Sequence, residues 1–79
     1  FAVIDRAIFM GSDPNCDIVI NNRAVSRRHA RLSRKEGEPI IEDISNTIGV
    51  YVNGVRVHRH PLKPGDVIAI ATDEFMVHL

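Results

Sequence analysis

Six of the chain's ten basic residues fall between positions 23 and 35 with no acid among them: Arg23, Arg27, Arg28, Arg31, Arg34 and Lys35. They surround Val25-Ser26-Arg27-Arg28-His29-Ala30, where a hydroxyl and a guanidinium stand side by side between apolar anchors. A local positive field with a hydroxyl donor suits a phosphate or carboxylate ligand, because charge-assisted hydrogen bonds to such anions are short and strong. The bland alternative is that alternate arginines are the solvated face of a strand. Catalysis by these residues is a poorer fit. Ser26 and His29 stand three apart, but no glycine-rich elbow surrounds Ser26 and nothing supplies an oriented base with an oxyanion hole. No Walker-type glycine loop occurs either. Of the four histidines, His58 and His60 fall in what reads as a polar turn region. No Cys/His spacing resembles a zinc site, so neither a metal nor a cofactor is expected.

Composition bounds the possibilities further. A length of 79 residues allows one small domain, 1–79, with a modest core. Ten basic and ten acidic residues make the chain formally neutral. A general nucleic-acid binder usually carries a basic excess, so none is expected here. The aromatics are Phe1, Phe9, Tyr51 and Phe75, too few to build a stacking platform beside the arginines. No apolar run is long enough to insert into a bilayer, and the start lacks a signal-peptide pattern. The single cysteine, Cys16, excludes an internal disulfide and fits a reducing compartment. Followed by Asp17-Ile18-Val19-Ile20, it reads as a small buried residue.

Strands must position the basic cluster. Nineteen residues are Val or Ile and only three are Leu, a bias that favours strands over helices. Short, regularly punctuated apolar runs predict strands over 7–10, 17–20, 29–33, 39–43, 50–53, 67–71 and 74–79, with an earlier one over 2–4. Between them stand turn formers: Ser12-Asp13-Pro14-Asn15, a charged hairpin loop over 34–38, and Lys63-Pro64-Gly65-Asp66 with Pro and Gly where a type II turn needs them. Asn53-Gly54 between two β-branched runs is a strong hairpin signal, because both residues tolerate positive φ. In 29–33 the alternation puts Ala30 and Leu32 on one face and His29, Arg31 and Ser33 on the other. The expectation is an all-β chain, a β-sandwich of two packed, mainly antiparallel sheets.

Three stretches then fall into a pattern. Gly11 through Ile20, Val25 through Ala30, and Glu42-Asp43-Ile44 through Val52-Asn53-Gly54 resemble, in order and spacing, the forkhead-associated (FHA) domain. Pro64-Gly65-Asp66-Val67-Ile68 is similar to that family's late turn. The resemblance covers 9–70 and implies a β-sandwich that reads phosphothreonine peptides with loops at one end. It also implies a first strand earlier than Phe1, expected to be missing or to lie outside this chain. An edge left open in that way could pair with a neighbour, so the oligomeric state is not fixed. By the same resemblance Ser26, Arg27 and Thr47 bind phosphate, Ser26 offering its hydroxyl and its backbone N–H. His29 is structural, as are Gly11, Gly49, Asn53 and Gly54, and Arg23 with Ala24 borders the ligand. Members usually work inside the cell or face the cytoplasm.

Departures from the family pattern are concentrated at the site. Ser12 stands where an arginine usually binds the phosphopeptide, and Ile48 where an asparagine holds the ligand backbone. Asn46 replaces a serine, and Val50 a frequent threonine. Losing a charged hydrogen bond costs about 1.5–3 kcal/mol and a neutral one about 1 kcal/mol. Summed naively, that is about a hundredfold to a thousandfold in affinity. Ile48, Val50 and Asn46 would instead suit a dry protein interface. The expected function is a non-enzymatic interaction module for a protein or peptide partner, with phosphothreonine recognition weakened or lost. The alternative is a functional phosphothreonine reader using Ser26, Arg27 and Thr47.

Overall fold

Short apolar runs rich in Val and Ile alternate with turn formers, and among the described residues the regular elements are strands alone. The computed structural model describes residues 6–78, so the strand expected over 2–4 lies outside the described residues. These residues form β1 (Ile8–Gly11), β2 (Ile18–Val19), β3 (Ala30–Lys35), β4 (Glu38–Asp43), β5 (Val50–Val52), β6 (Val55–Val57), β7 (Arg59–Pro61), β8 (Val67–Ile70) and β9 (Asp73–Met76). One sheet has the order β2-β1-β3-β4-β7 and the other β6-β5-β8-β9. Every strand pair is antiparallel except β1 with β2. The chain leaves Gly11, turns at Asp13, and returns so that Asp17 Oδ2 accepts the Phe9 N–H at 2.9 Å. It then runs up beside β1 with Met10 opposite Ile18.

The sheets bury one face each. Ala30 and Leu32 of β3, Ile41 of β4, Val50 of β5, and Ile68 and Ile70 of β8 are fully enclosed. Each of the larger side chains contributes about 1.5–3 kcal/mol on burial. The period of two therefore sets register: a slip by one residue would turn all of them to water. Asn53 and Gly54 both adopt positive φ, 51° and 82°, and close the β5–β6 hairpin with Val52 opposite Val55. Glu36 and Gly37 do the same between β3 and β4, with Lys35 opposite Glu38. The charged loop expected over 34–38 is thus only two residues long, because both flanking strands continue pairing. Lys63–Asp66 is a turn closed by Asp66 N–H to Lys63 O at 3.1 Å.

The polar turn region expected around His58 and His60 is corrected by the structure. His60 lies in β7, which pairs with the outer edge of β4, Ile41 opposite His60. Arg59-His60-Pro61 has no apolar alternation, and its proline is tolerated because an edge strand can leave one N–H side unpaired.

Candidate functional site

Two loops meet at one end of the sandwich. The first reaches Ser26-Arg27 and crosses directly over Gly11. A Cβ on Gly11 would lie 2.1 Å from the Arg27 carbonyl oxygen, so only glycine permits the approach. Backbone hydrogen bonds fasten it: Ser12 N–H to Ser26 O and Asp13 N–H to Arg27 O, each 3.1 Å, and His29 N–H to Met10 O at 2.8 Å. Val25, buried in the core, pins the same loop from below. Cys16 is buried as expected, and its thiol faces Arg27 O at 3.2 Å. Burial pushes the thiol's pKa up, which disfavours the reactive thiolate.

The second loop, over 44–49, is built by side chains. Asp43 closes β4, and its Oδ1 accepts from Ser45 Oγ at 2.7 Å, Ser45 N–H at 2.9 Å and Asn46 N–H at 3.4 Å. Burial alone would raise this carboxyl's pKa. The Ser45 and Asn46 hydrogen bonds, with His29 nearby, outweigh it and hold the group below its ordinary value. Ser45 Oγ in turn accepts the Thr47 N–H at 3.2 Å. From outside, Arg56 donates to Thr47 O at 3.1 Å. The same side chain lies over Gly49, where a Cβ would sit 2.5 Å from Arg56 Nε.

His29 joins the two loops. Sequence alternation puts it on the outward face with Arg31 and Ser33, yet it is fully buried, because both loops close over it just before β3 begins. Its Nδ1 accepts the Ser26 N–H at 3.1 Å, which leaves the ring hydrogen on Nε2, facing Gly49 O at 2.9 Å. The Ser26 N–H, expected to face a phosphate, is therefore already committed to imidazole.

What remains at the surface is compact. Ser26 Oγ and Thr47 Oγ1 lie 3.1 Å apart across a sequence separation of 21. Arg27 stands beside them with its side chain 81% exposed, 3.1 Å from Asp13 Oδ2. The Asn15 N–H, then Arg27 and Arg28, hold the Asp13 carboxyl below its usual range against the opposing pull of desolvation. Two hydroxyls and one guanidinium can converge on the oxygens of a tetrahedral anion, provided Arg27 leaves Asp13.

The other expected residues scatter. Ser12 is half-buried and spends its N–H on Ser26 O, and Arg23 is exposed in the preceding turn. Asn46 is exposed with φ 56°, and Ile48 is 37% exposed. Val50, expected to face an interface, is fully buried in β5 and cannot present itself to a partner. Asn53 and Gly54 sit at the opposite end of β5, where Asn53 bonds Val67 and Asp66. Three contributors escaped the sequence reading: Asp43, Ser45 and Arg56. The Asp-x-Ser spacing of the first two is a legible turn signal. Arg56 carries none.

Comparison with known proteins identifies the family and the fold. The FHA domain profile matches residues 8–71. Mouse proliferation marker protein Ki-67 is 38% identical over 66 residues, covering 82% of this chain and 2% of that protein. The oxoglutarate dehydrogenase inhibitor of Corynebacterium efficiens is 38% identical over 60 residues, 76% of this chain and 42% of its own length. The chain therefore spans less than half of these curated relatives. The structure of Mycobacterium tuberculosis EmbR in complex with a low affinity phosphopeptide superposes with a TM-score of 0.84 at 32% identity, covering 89% of this chain and 19% of that one. With its sandwich, its loop pair and its sequence in agreement, the chain belongs to the FHA domain family.

Proposed function

We propose that this domain is a non-enzymatic interaction module that binds a phosphothreonine peptide of a protein partner, with recognition weakened by Ser12 and Ile48. The observation that carries the reading is the 3.1 Å approach of Ser26 Oγ to Thr47 Oγ1 beside Arg27. Two exposed hydroxyls that, among the described residues, bond each other can turn their hydrogens toward an anion without leaving a buried donor unpaired. A phosphate brings three acceptor oxygens and draws Arg27 from Asp13. The likeness to EmbR, a protein described with a low affinity phosphopeptide, supports the reading. A cytoplasmic or cytoplasm-facing setting, where phosphorylation takes place, belongs to the same proposal.

The test is NMR shift mapping with a degenerate phosphothreonine peptide library, the unphosphorylated library serving as control. Shifts centred on Ser26, Arg27 and Thr47 are expected only with phosphate. Ser26→Ala should weaken binding about tenfold, or about 1.4 kcal/mol. Ser12→Arg with Ile48→Asn should strengthen it. Silence at millimolar peptide overturns the reading in favour of a phosphate-independent interface. The exposure of Ile44 (39%) and Ile48 (37%) on one loop would suit that second reading.

A further inference from the structure

Two arginines of the basic cluster are held elsewhere than at the loop hydroxyls. Arg28 lies over the ring of Phe9, 4.8 Å from its centroid, and Arg31 is the second residue of β3. Phe9, Arg31 and Glu42 each stand between buried neighbours on their strands, so the pleat turns all three to the outer face of the five-stranded sheet. Pairing sets them in one row across four strands: Phe9 opposite Arg31, Arg31 opposite Glu42, and Glu42 opposite Arg59. With Arg28 stacked at one end, the row keeps a positive excess.

Its members are fixed by each other. Arg31 bonds Glu42 at 2.6 Å. That bond above all, with Arg59 and His58 behind it, keeps the Glu42 carboxyl below its ordinary range against the pull of desolvation. The Phe9 ring fixes Arg28 by a cation–π contact. Arg59 is exposed on the edge strand β7, and among the described residues no carboxylate forms an ion pair with it. Arg31 Nε is buried and has no hydrogen-bond partner among the described residues. A merely solvated face rarely leaves a buried donor unmet, whereas a face that awaits an acceptor can.

We infer that this row is a second docking surface, independent of phosphate, that takes an extended acidic segment of a protein partner. The surface does not depend on the loop site and operates whether or not the loops bind phosphothreonine. Neighbouring strands lie about 4.8 Å apart, so the two ends of the row, over β1 and β7, are about 14 Å apart. An extended segment advances about 3.3 Å per residue and turns every second side chain the same way, so acids at i and i+4 reach Arg28 and Arg59 together. Position i+2 falls over Arg31 and Glu42, where a third acid would meet a carboxylate. A phosphodiester chain, charged at every residue, would bring a charge against Glu42, so the row favours a protein over a nucleic acid.

The experiment titrates unphosphorylated, threonine-free peptides of otherwise neutral, polar sequence into the chain and follows them by NMR. One peptide carries Glu at i and i+4, the other at i and i+2. The first should bind about threefold tighter, a gap suited to one further exposed ion pair. Its shifts should fall on Phe9, Arg28, Arg31 and Arg59 and leave Ser26 and Thr47 unmoved. Arg28→Gln and Arg59→Gln should each abolish the preference, with the remaining spectrum unchanged as proof of folding. If these substitutions weaken both peptides equally, the attraction is diffuse charge and the docking surface is refuted. Shifts centred on Ser26, Arg27 and Thr47 refute it too, because the acid then enters the loop site. Oligothymidylate that moves the Arg28 and Arg59 signals more than the first peptide does overturns the protein partner in favour of a nucleic acid. No shift at millimolar peptide overturns the surface. None of the peptides carries phosphate, so each outcome stands apart from whether the loops read phosphothreonine.

Discussion

The two loops that meet at Ser26 and Thr47 are held by opposite means. The Ser26 loop is tied to β1 chiefly by main-chain bonds from Ser12, Asp13 and His29, and its crossing leaves no room for a side chain on Gly11. The Thr47 loop has few main-chain bonds of its own and stands on the Asp43 carboxylate, the Ser45 hydroxyl, the His29 ring and the Arg56 guanidinium. Main-chain fastening tolerates almost any sequence, so the first loop can carry a run of arginines. Side-chain fastening is particular about its supports and free elsewhere. That freedom explains how Asn46 and Ile48 can depart from the family pattern while Thr47 still reaches Ser26.

Breaking the first loop should have the largest effect. Gly11→Ala drives a methyl into the Arg27 carbonyl and forces the backbones apart, for an expected loss of about 3 kcal/mol in denaturant unfolding. A loss below about 1 kcal/mol would mean the crossing is not rigid. Asp43→Ala orphans the donors of Ser45 and Asn46 and should cost about 2 kcal/mol. Its amide-exchange changes should be confined to 44–49, and spread into Ser12 and Asp13 would erase the distinction between the loops. Ser45→Ala removes one bridging hydroxyl and should cost about 1 kcal/mol, read as loss of protection at the Thr47 amide. Acid sharpens the same contrast. The Asp43 carboxyl is held below its ordinary value in the fold, so the stability it lends is complete above the unfolded aspartate value near 4. That stability is lost as pH falls through the lower folded value. Exchange at Ser45 and Asn46 should therefore rise on acidification before exchange at His29, whose N–H bonds a carbonyl.

Legibility in the sequence follows the same division. Strands with β-branched alternation and the Asn53-Gly54 turn can be read because their causes are local. β7 could not be, since Arg59-His60-Pro61 becomes a strand only by borrowing the edge of β4. Ser26 and Thr47 were identified by resemblance, but the sequence offers the Ser26 N–H to a ligand, and the fold gives it to His29. Val50 opens the strand expected over 50–53, but only the pairing of β5 with β6 shows that its side chain enters the core and not an interface. Arg56 is two residues past a turn, and nothing in its neighbours betrays that it lies over Gly49. Folded geometry rather than neighbouring residue types decides each of these cases, from the three-residue step between Ser26 and His29 to the pairing of β7 with β4.

The ion pair between Arg27 and Asp13 has a consequence for how a partner would be distinguished from its imitations. In the proposed function Arg27 starts with a carboxylate already in hand. An acidic residue substituted for phosphothreonine would merely exchange one monoanion for another, with nothing gained at this position. A phosphate near neutral pH carries nearly twice the charge and more oxygens, and so displaces Asp13 with a net gain. The domain thus holds its own decoy. Partners carrying aspartate or glutamate in place of the phosphorylated threonine should fail to mimic the modified form, and phosphatase action would switch the contact off cleanly.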